Sequence, residues 1–212
     1  MTELFLSAFV TLFVIIDPMG CAPIFASLTG GGPAAWRRQM AVRSALVAGG
    51  ILFVFALFGR ALLETLGISL GAFRIAGGLM LFLIALEMVF ERRTQRREKR
   101  ADDIQREAAA TQAPPDDISV FPMALPMIAG PGSIATVMLM VQRAHDATAI
   151  ATVLAALAAV LALTLLALLA AGPIMRLLGP KIEAAITRLL GVLLGALGAQ
   201  FVVDGLKASF GI

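Results

Sequence analysis

Asp17 is the residue with the most chemistry open to it. It stands in IDPMGCAP, residues 16 to 23, where an acid, two prolines and a glycine interrupt an otherwise apolar opening segment. An ionisable group at membrane depth is costly and reads by default as functional. Asp17 can hold an ammonium group, bind a coupling cation such as Na+, or load and release a proton. It can also serve as the N-cap of a half-helix starting at Pro18, and these roles are compatible.

A second stretch mirrors the first. In LPMIAGPG, residues 125 to 132, Pro126 falls under Pro18, Pro131 under Pro23, and Met127 under Met19. Proline lacks a backbone donor and clashes with the preceding turn, at a cost of about 3 kcal/mol in a helix interior. Pro18, Gly20 and Pro23 should therefore break one apolar segment, and Pro126, Gly130 and Pro131 another. Such backbone is tolerated at membrane depth only when buried in protein or lining a wet cavity. Amides of the half-helix following Pro23 or Gly132 suit a carboxylate, and carbonyls ending the preceding half suit an ammonium or cation. Gly130-Pro131-Gly132-Ser133 is the more open break, because glycine permits close approach and Ser133 can cap the following half. A lone proline kink merely shapes packing. Two matched breaks beside an acid point to a transport site at the midplane.

Arg74 and Arg188 also fall inside apolar segments, about one turn from their ends. Their long stems can snorkel to the interface, or one or both can turn inward to meet Asp17 or a substrate carboxylate. RIAGGLMLFLIALE from Arg74 resembles RLLGVLLGALGAQ from Arg188, which pairs these arginines and sets Gly77 over Gly191. Gln200 reads as helix-to-helix glue, and the recurring glycines at 71, 77, 78, 191, 195 and 198 read as close helix contacts.

The elements that carry these residues are apolar runs of membrane length. Of 212 residues, 59% are hydrophobic and only 15% charged, which departs from soluble usage. Six runs of about 20 residues recur, at roughly 4–27, 41–63, 69–90, 119–141, 148–171 and 186–206. The expected fold is an all-α membrane protein of six transmembrane helices, arranged as two inverted three-helix repeats with helices one and four broken. Residues 1–90 form the first repeat, 91–118 a charged cytoplasmic linker, and 119–212 the second repeat. RALLETLG and AGPIMRLLGPK read as connections between spans. Arginines concentrate in the first, third and fifth connections, which places those in the cytoplasm and both termini outside. The opening segment has no basic region before it and is expected to remain in the membrane.

Composition also excludes. The net charge of +3 is accounted for by basic loops beside membrane helices, so no nucleic acid is implied. One Cys and one His build neither a disulfide framework nor a Cys/His metal site. Cys21 reads as a packing residue and His145 as a loop residue. No cofactor is implied, and no nucleophile–base pair or metal cluster at membrane depth suggests an enzyme.

The motifs IDPxGxxPxF (IDPMGCAPIF, residues 16–25) and LPxxxGPGSI (LPMIAGPGSI, residues 125–134) resemble the MarC family of bacterial integral membrane proteins. That family is itself similar to the LysE amino-acid exporters. The resemblance covers essentially the whole chain. It implies a multi-pass protein of the bacterial inner membrane, with some relatives regarded as transporters of small neutral amino acids. The motif positions are Asp17, Pro18, Gly20, Pro23 and Phe25, then Pro126, Gly130, Pro131, Gly132 and Ser133. The expected partners are membrane lipids, a small zwitterionic substrate and a coupling H+ or Na+, with a homo-oligomer left open. A lipid-handling protein and a structural or regulatory membrane subunit are the alternatives.

Overall fold

The computed structural model describes residues 1–90, 99, 117–144 and 146–211, with the backbone alone for 174–183. His145 and nearly all of the expected linker at 91–118 lie outside the described residues. Among the described residues, eight helical elements run in chain order. They are α1 (Thr2–Ile16), α2 (Pro18–Leu28), α3 (Ala34–Thr65), α4 (Leu70–Val89), α5 (Ser119–Ile128), α6 (Pro131–Arg143), α7 (Ala147–Leu169) and α8 (Ala171–Phe210).

Among the described residues, five helices are long and apolar enough to cross a membrane, with α1 and α2 together counted as one stretch, Thr2–Leu28. The bent pair α5 and α6 makes a sixth when taken as one span. At 1.5 Å per residue, the 27 residues of the first stretch reach about 40 Å, enough for a hydrocarbon core of about 30 Å. Large apolar side chains such as Leu46, Phe58, Leu189 and Val192 are exposed. That outer surface suits lipid, since a soluble domain would bury it.

The sequence placed some boundaries wrongly. RALLETLG is no polar connection: α3 runs on through Thr65 and stops where Gly67 turns at φ 67°. AGPIMRLLGPK is helical in backbone, as the first part of α8. Pro173 is only the third residue of that helix, where no intrahelical amide bond is lost.

Packing crosses between the halves. α3 packs against α5 and α6, while α7 packs against α1 and α2. α4 meets α6 as α8 meets α2, and α4 and α8 lie against each other. The α4–α8 contact is antiparallel and built on glycine. A Cβ on Gly78 would sit 2.6 Å from the Gly198 carbonyl oxygen, and one on Gly198 would sit 2.8 Å from that of Gly78. Gly71 and Gly205 approach each other in the same reciprocal way, and Gly191 lies on Ala85 and Met88. Small residues seven apart (71, 78 and 85 facing 205, 198 and 191) bring the two backbones together, as small residues do between membrane helices.

One buried cluster joins Leu12, Ile16, Cys21 and Phe25 of the first broken span to Met123, Met127, Ile128 and Val137 of the second. A second cluster packs Ile15 of α1 with Leu81 and Ala85 of α4, Leu139 of α6, and Leu194 and Phe201 of α8. The two interruptions thus share one core.

Candidate functional site

The first interruption is one residue long. Asp17 adopts the left-handed conformation, φ 58° and ψ 66°, and is the one non-glycine residue with positive φ among those described. Aspartate tolerates that region better than most residues. α1 ends on it through a hydrogen bond from the Asp17 amide to the Phe13 carbonyl oxygen, 2.9 Å. α2 starts from it, with Pro18 at the first helical position, where its missing amide costs nothing. The carboxylate then turns onto the new helix, accepting from the Gly20 amide at 3.0 Å. A Cβ on Gly20 would lie 2.2 Å from Asp17 Oδ2. The glycine therefore makes room for the carboxylate, and Asp-Pro-x-Gly reads as a self-capped hinge. Asp17 is 3% exposed.

Pro23 does not break the helix. It lies inside α2, whose N-terminus is at Pro18. The half-helix expected after Pro23 is thus one that starts five residues earlier, and its positive end already holds a carboxylate. Cys21 is buried, its thiol 3.5 Å from the Ile16 carbonyl oxygen, and Phe25 belongs to the core.

The second interruption is longer. Residues 118–129 form two successive wide turns, closed by Met123 N–H to the Ile118 oxygen at 3.2 Å and Ala129 N–H to the Ala124 oxygen at 2.9 Å. Phe121 and Leu125 are extended, as residues before proline prefer. Both are followed by cis bonds, to Pro122 and Pro126. Pro122 thus joins Pro126 in shaping the break, a role the sequence did not assign it. A Cβ on Gly130 would fall 2.5 Å from the Pro126 carbonyl oxygen, so only glycine fits there. α6 then starts at Pro131 with its axis bent 56° from that of α5.

The start of α6 has no side-chain cap. Ser133 does not supply one. The cap position is Gly130, and Pro131 has no amide, so the Gly132 and Ser133 amides are the open donors of the first turn. They are enclosed: a Cβ on Gly132 would meet Ile84, Leu81 and Ile15, and Ser133 is 2% exposed. One turn further, Thr136 is fully buried and its hydroxyl has no hydrogen-bond partner. Ser133 and Thr136, three apart, share this face of α6. Thr136 was not among the residues expected to bind, although Ser-x-x-Thr just after a break is legible in the sequence.

Two helices therefore start at the breaks, α2 at Asp17-Pro18 and α6 at Gly130-Pro131. Ile15, two residues before Asp17, lies within reach of the Gly132 position, so the breaks meet inside the molecule. One presents a carboxylate; the other presents amides and hydroxyls.

Arg74 and Arg188 occupy other levels. The start of α6 touches α4 at Leu81 and Ile84, seven and ten residues beyond Arg74, or about 10–15 Å along the axis. Arg74 is half-buried and its Nε has no hydrogen-bond partner. Arg188 is exposed, one turn before the Gly191 contact with Met88. At the far end of α6, Arg143 binds Asp204 at 2.5 Å and covers the Phe201 ring at 4.7 Å, while Gln200 donates to Asp204 at 2.7 Å. This clamp ties α6 to α8 across 61 residues of sequence, and no local pattern announces it.

Comparison with known proteins agrees with this architecture. The family model described as "MarC family integral membrane protein" matches residues 2–210. A UPF0056 membrane protein of Methanocaldococcus jannaschii is 40% identical over 144 residues, 68% of this chain and 67% of that protein. The UPF0056 membrane protein YhcE of Escherichia coli is 32% identical over 95% of this chain and 91% of its own length. One from Pyrococcus horikoshii is 31% identical over 98% and 96%. No solved structure matches. An all-helical, multi-pass chain whose paired breaks carry both motifs, matched from end to end, belongs to the MarC family of integral membrane proteins.

Proposed function

We propose that this chain is a secondary transporter of small zwitterionic solutes, with neutral amino acids such as glycine and alanine as the substrate class. The observation that carries the reading is the pair of buried breaks with complementary polarity. A carboxylate at Asp17 suits an ammonium. The uncapped start of α6, with its Gly132 and Ser133 amides and the unpartnered Thr136 hydroxyl, suits a carboxylate. In this reading a substrate replaces the cap that α6 lacks. Asp17 is the acid that meets the ammonium, or a coupling H+ or Na+.

The two halves are read as inverted repeats, 1–90 and 119–212. An odd number of spans in each half inverts the second. The exchanged packing, α3 on the second broken span and α7 on the first, supports that relation. Both termini then lie outside and the arginine-rich connections lie in the cytoplasm of a bacterial inner membrane. The buried breaks correspond to an occluded state, which opens when one repeat rocks against the other.

Purified protein in liposomes tests this. Gradient-dependent, saturable uptake of labelled alanine or glycine is expected, lost in Asp17→Asn and weakened in Thr136→Val. Full flux in Asp17→Asn removes the acid from the mechanism. No flux for any member of a broad amino-acid panel removes the substrate class.

A further inference from the structure

The arginine-rich end of the molecule holds an open cavity of about 440 Å³. Its walls include Arg37 and Arg38 from the first turns of α3, Phe25 from α2, Leu168 and Leu169 from the end of α7, and Gly172. α3 starts at Ala34 with no side-chain cap and no acidic residue in its first turn. Its open amides and dipole therefore add to the charge of the two guanidiniums. Arg43, further along, is bound to Asp117 at 2.5 Å. Arg37 has no such partner among the described residues. Its Nε is buried and makes no hydrogen bond, which is an expensive state for a guanidinium.

We propose that this cavity binds the phosphate ester of an anionic membrane phospholipid. Guanidinium forks match phosphate oxygens in geometry and charge, and a helix start without its own acid favours the same ligand. The rest of the wall selects the source. Phe25, Leu168 and Leu169 are apolar, and the cavity could hold about fifteen waters at the liquid volume of about 30 Å³ each. A free phosphate leaves most of that space unfilled, whereas a glycerophosphate with the beginning of its acyl chains occupies both the charged and the apolar wall. Basic residues at the membrane surface attract anionic lipids in general, but a walled site with a buried, unpaired Arg37 Nε predicts saturable binding.

Trp36, the only tryptophan of a chain without tyrosine, stands beside Arg37 and packs against the core. Its emission therefore reports on lipid beside this site, and saturation at low mole fraction separates the site from bulk lipid. The full chain is placed in zwitterionic nanodiscs, and lipids with brominated acyl chains are titrated in. Brominated phosphatidylglycerol should quench Trp36 saturably, at a mole fraction roughly tenfold lower than brominated phosphatidylcholine. Arg37→Gln with Arg38→Gln should bring the two curves together. Arg38→Gln alone, at an exposed position that folding tolerates, should remove part of the preference. Arg60→Gln, on the far side of α3, should leave it unchanged. Coincident curves in the unaltered protein overturn the proposal, as does a preference that survives the double substitution or is lost equally in Arg60→Gln. Inorganic phosphate at millimolar concentration that abolishes the phosphatidylglycerol preference would mark the site as one for free phosphate and overturn the lipid assignment.

Discussion

The first break of this protein is a hinge of one residue, and the second is an unwound stretch of about twelve. At Asp17 the chain leaves one helix and starts the next without a bend large enough to divide the stretch Thr2–Leu28. Over residues 118–129 the same task takes two wide turns and, at Pro131, a 56° change of axis. The difference lies in how each satisfies the amides it frees. Asp17 brings its own anion, so α2 starts capped and the break is closed. Gly130 brings none, so α6 starts open, with buried donors and an unpaired hydroxyl at Thr136. Buried polar groups left unpaired are costly, and the open break is where a ligand has the most to offer. The closed break carries a carboxylate two residues beyond Ile15, which packs at the Gly132 position.

The largest expected effect comes from closing the gap that shapes the open break. Gly130→Ala would press a methyl group onto the Pro126 carbonyl oxygen, and backbone cannot swing aside. We expect a loss of about 3 kcal/mol of stability, measured by chemical or thermal unfolding in detergent. Gly20→Ala should cost less, because its clash is with the end of the Asp17 side chain, which can rotate away and forfeit only the cap. Equal losses at the two glycines would erase the distinction between rigid and self-capped breaks.

Substitutions at Asp17 divide its two roles. Asp17→Ala removes the cap and is expected to lower stability by about 1–2 kcal/mol. Asp17→Asn keeps both an N-cap oxygen and tolerance of positive φ. It should unfold close to the unaltered protein while losing uptake. If Asp17→Asn is instead as unstable as Asp17→Ala, the negative charge serves the fold.

Much of this was legible, and what failed did so for physical reasons. Residue types alone marked Asp17, both proline pairs and the GPGS turn, because broken spans must use poor helix formers. Positions within the breaks were less legible. Pro23 looked like a helix breaker, yet it sits inside α2, and the helix start it was expected to mark lies at Pro18. Spacing does not reveal which proline starts a helix: Pro18 and Pro131 do, while Pro23 and Pro126 lie inside their elements. Glycine stripes were recognisable as contacts, but their register depends on which glycine oxygen faces which, and that is set by tertiary packing. The Arg143–Asp204 clamp and the Arg37 cavity join segments far apart in sequence and left no local trace.

Thr136→Val is expected to act with the opposite sign. The hydroxyl is buried without a partner, so an isosteric methyl relieves a desolvation cost. The unliganded protein should gain about 1 kcal/mol while uptake falls, because the ligand loses a donor. Stabilisation without any change in uptake would place Thr136 outside the binding face of α6. A loss of stability would mean that the hydroxyl is satisfied by water in the membrane.

The smallest effect concerns where the open break is anchored. Asp117 lies just before α5. The Ser119 hydroxyl and amide, together with the Arg43 guanidinium, hold its carboxyl below the usual range, against the opposing pull of burial. A carboxyl lowered in the folded state adds stability above its unfolded value of about 3.9, and that stability is lost as pH falls through the lower folded value. The pair is well exposed, 52% and 38% for the two side chains, so solvent screening keeps the contribution below about 1 kcal/mol. Ser119→Ala removes the largest cause. Its unfolding midpoint, followed from neutral pH down to pH near 3, should therefore approach that of the unaltered protein as the carboxyl protonates. A gap that stays constant across this range would assign the effect of Ser119 to packing at the start of α5. The charge asymmetry between the two breaks would then rest on Asp17 alone.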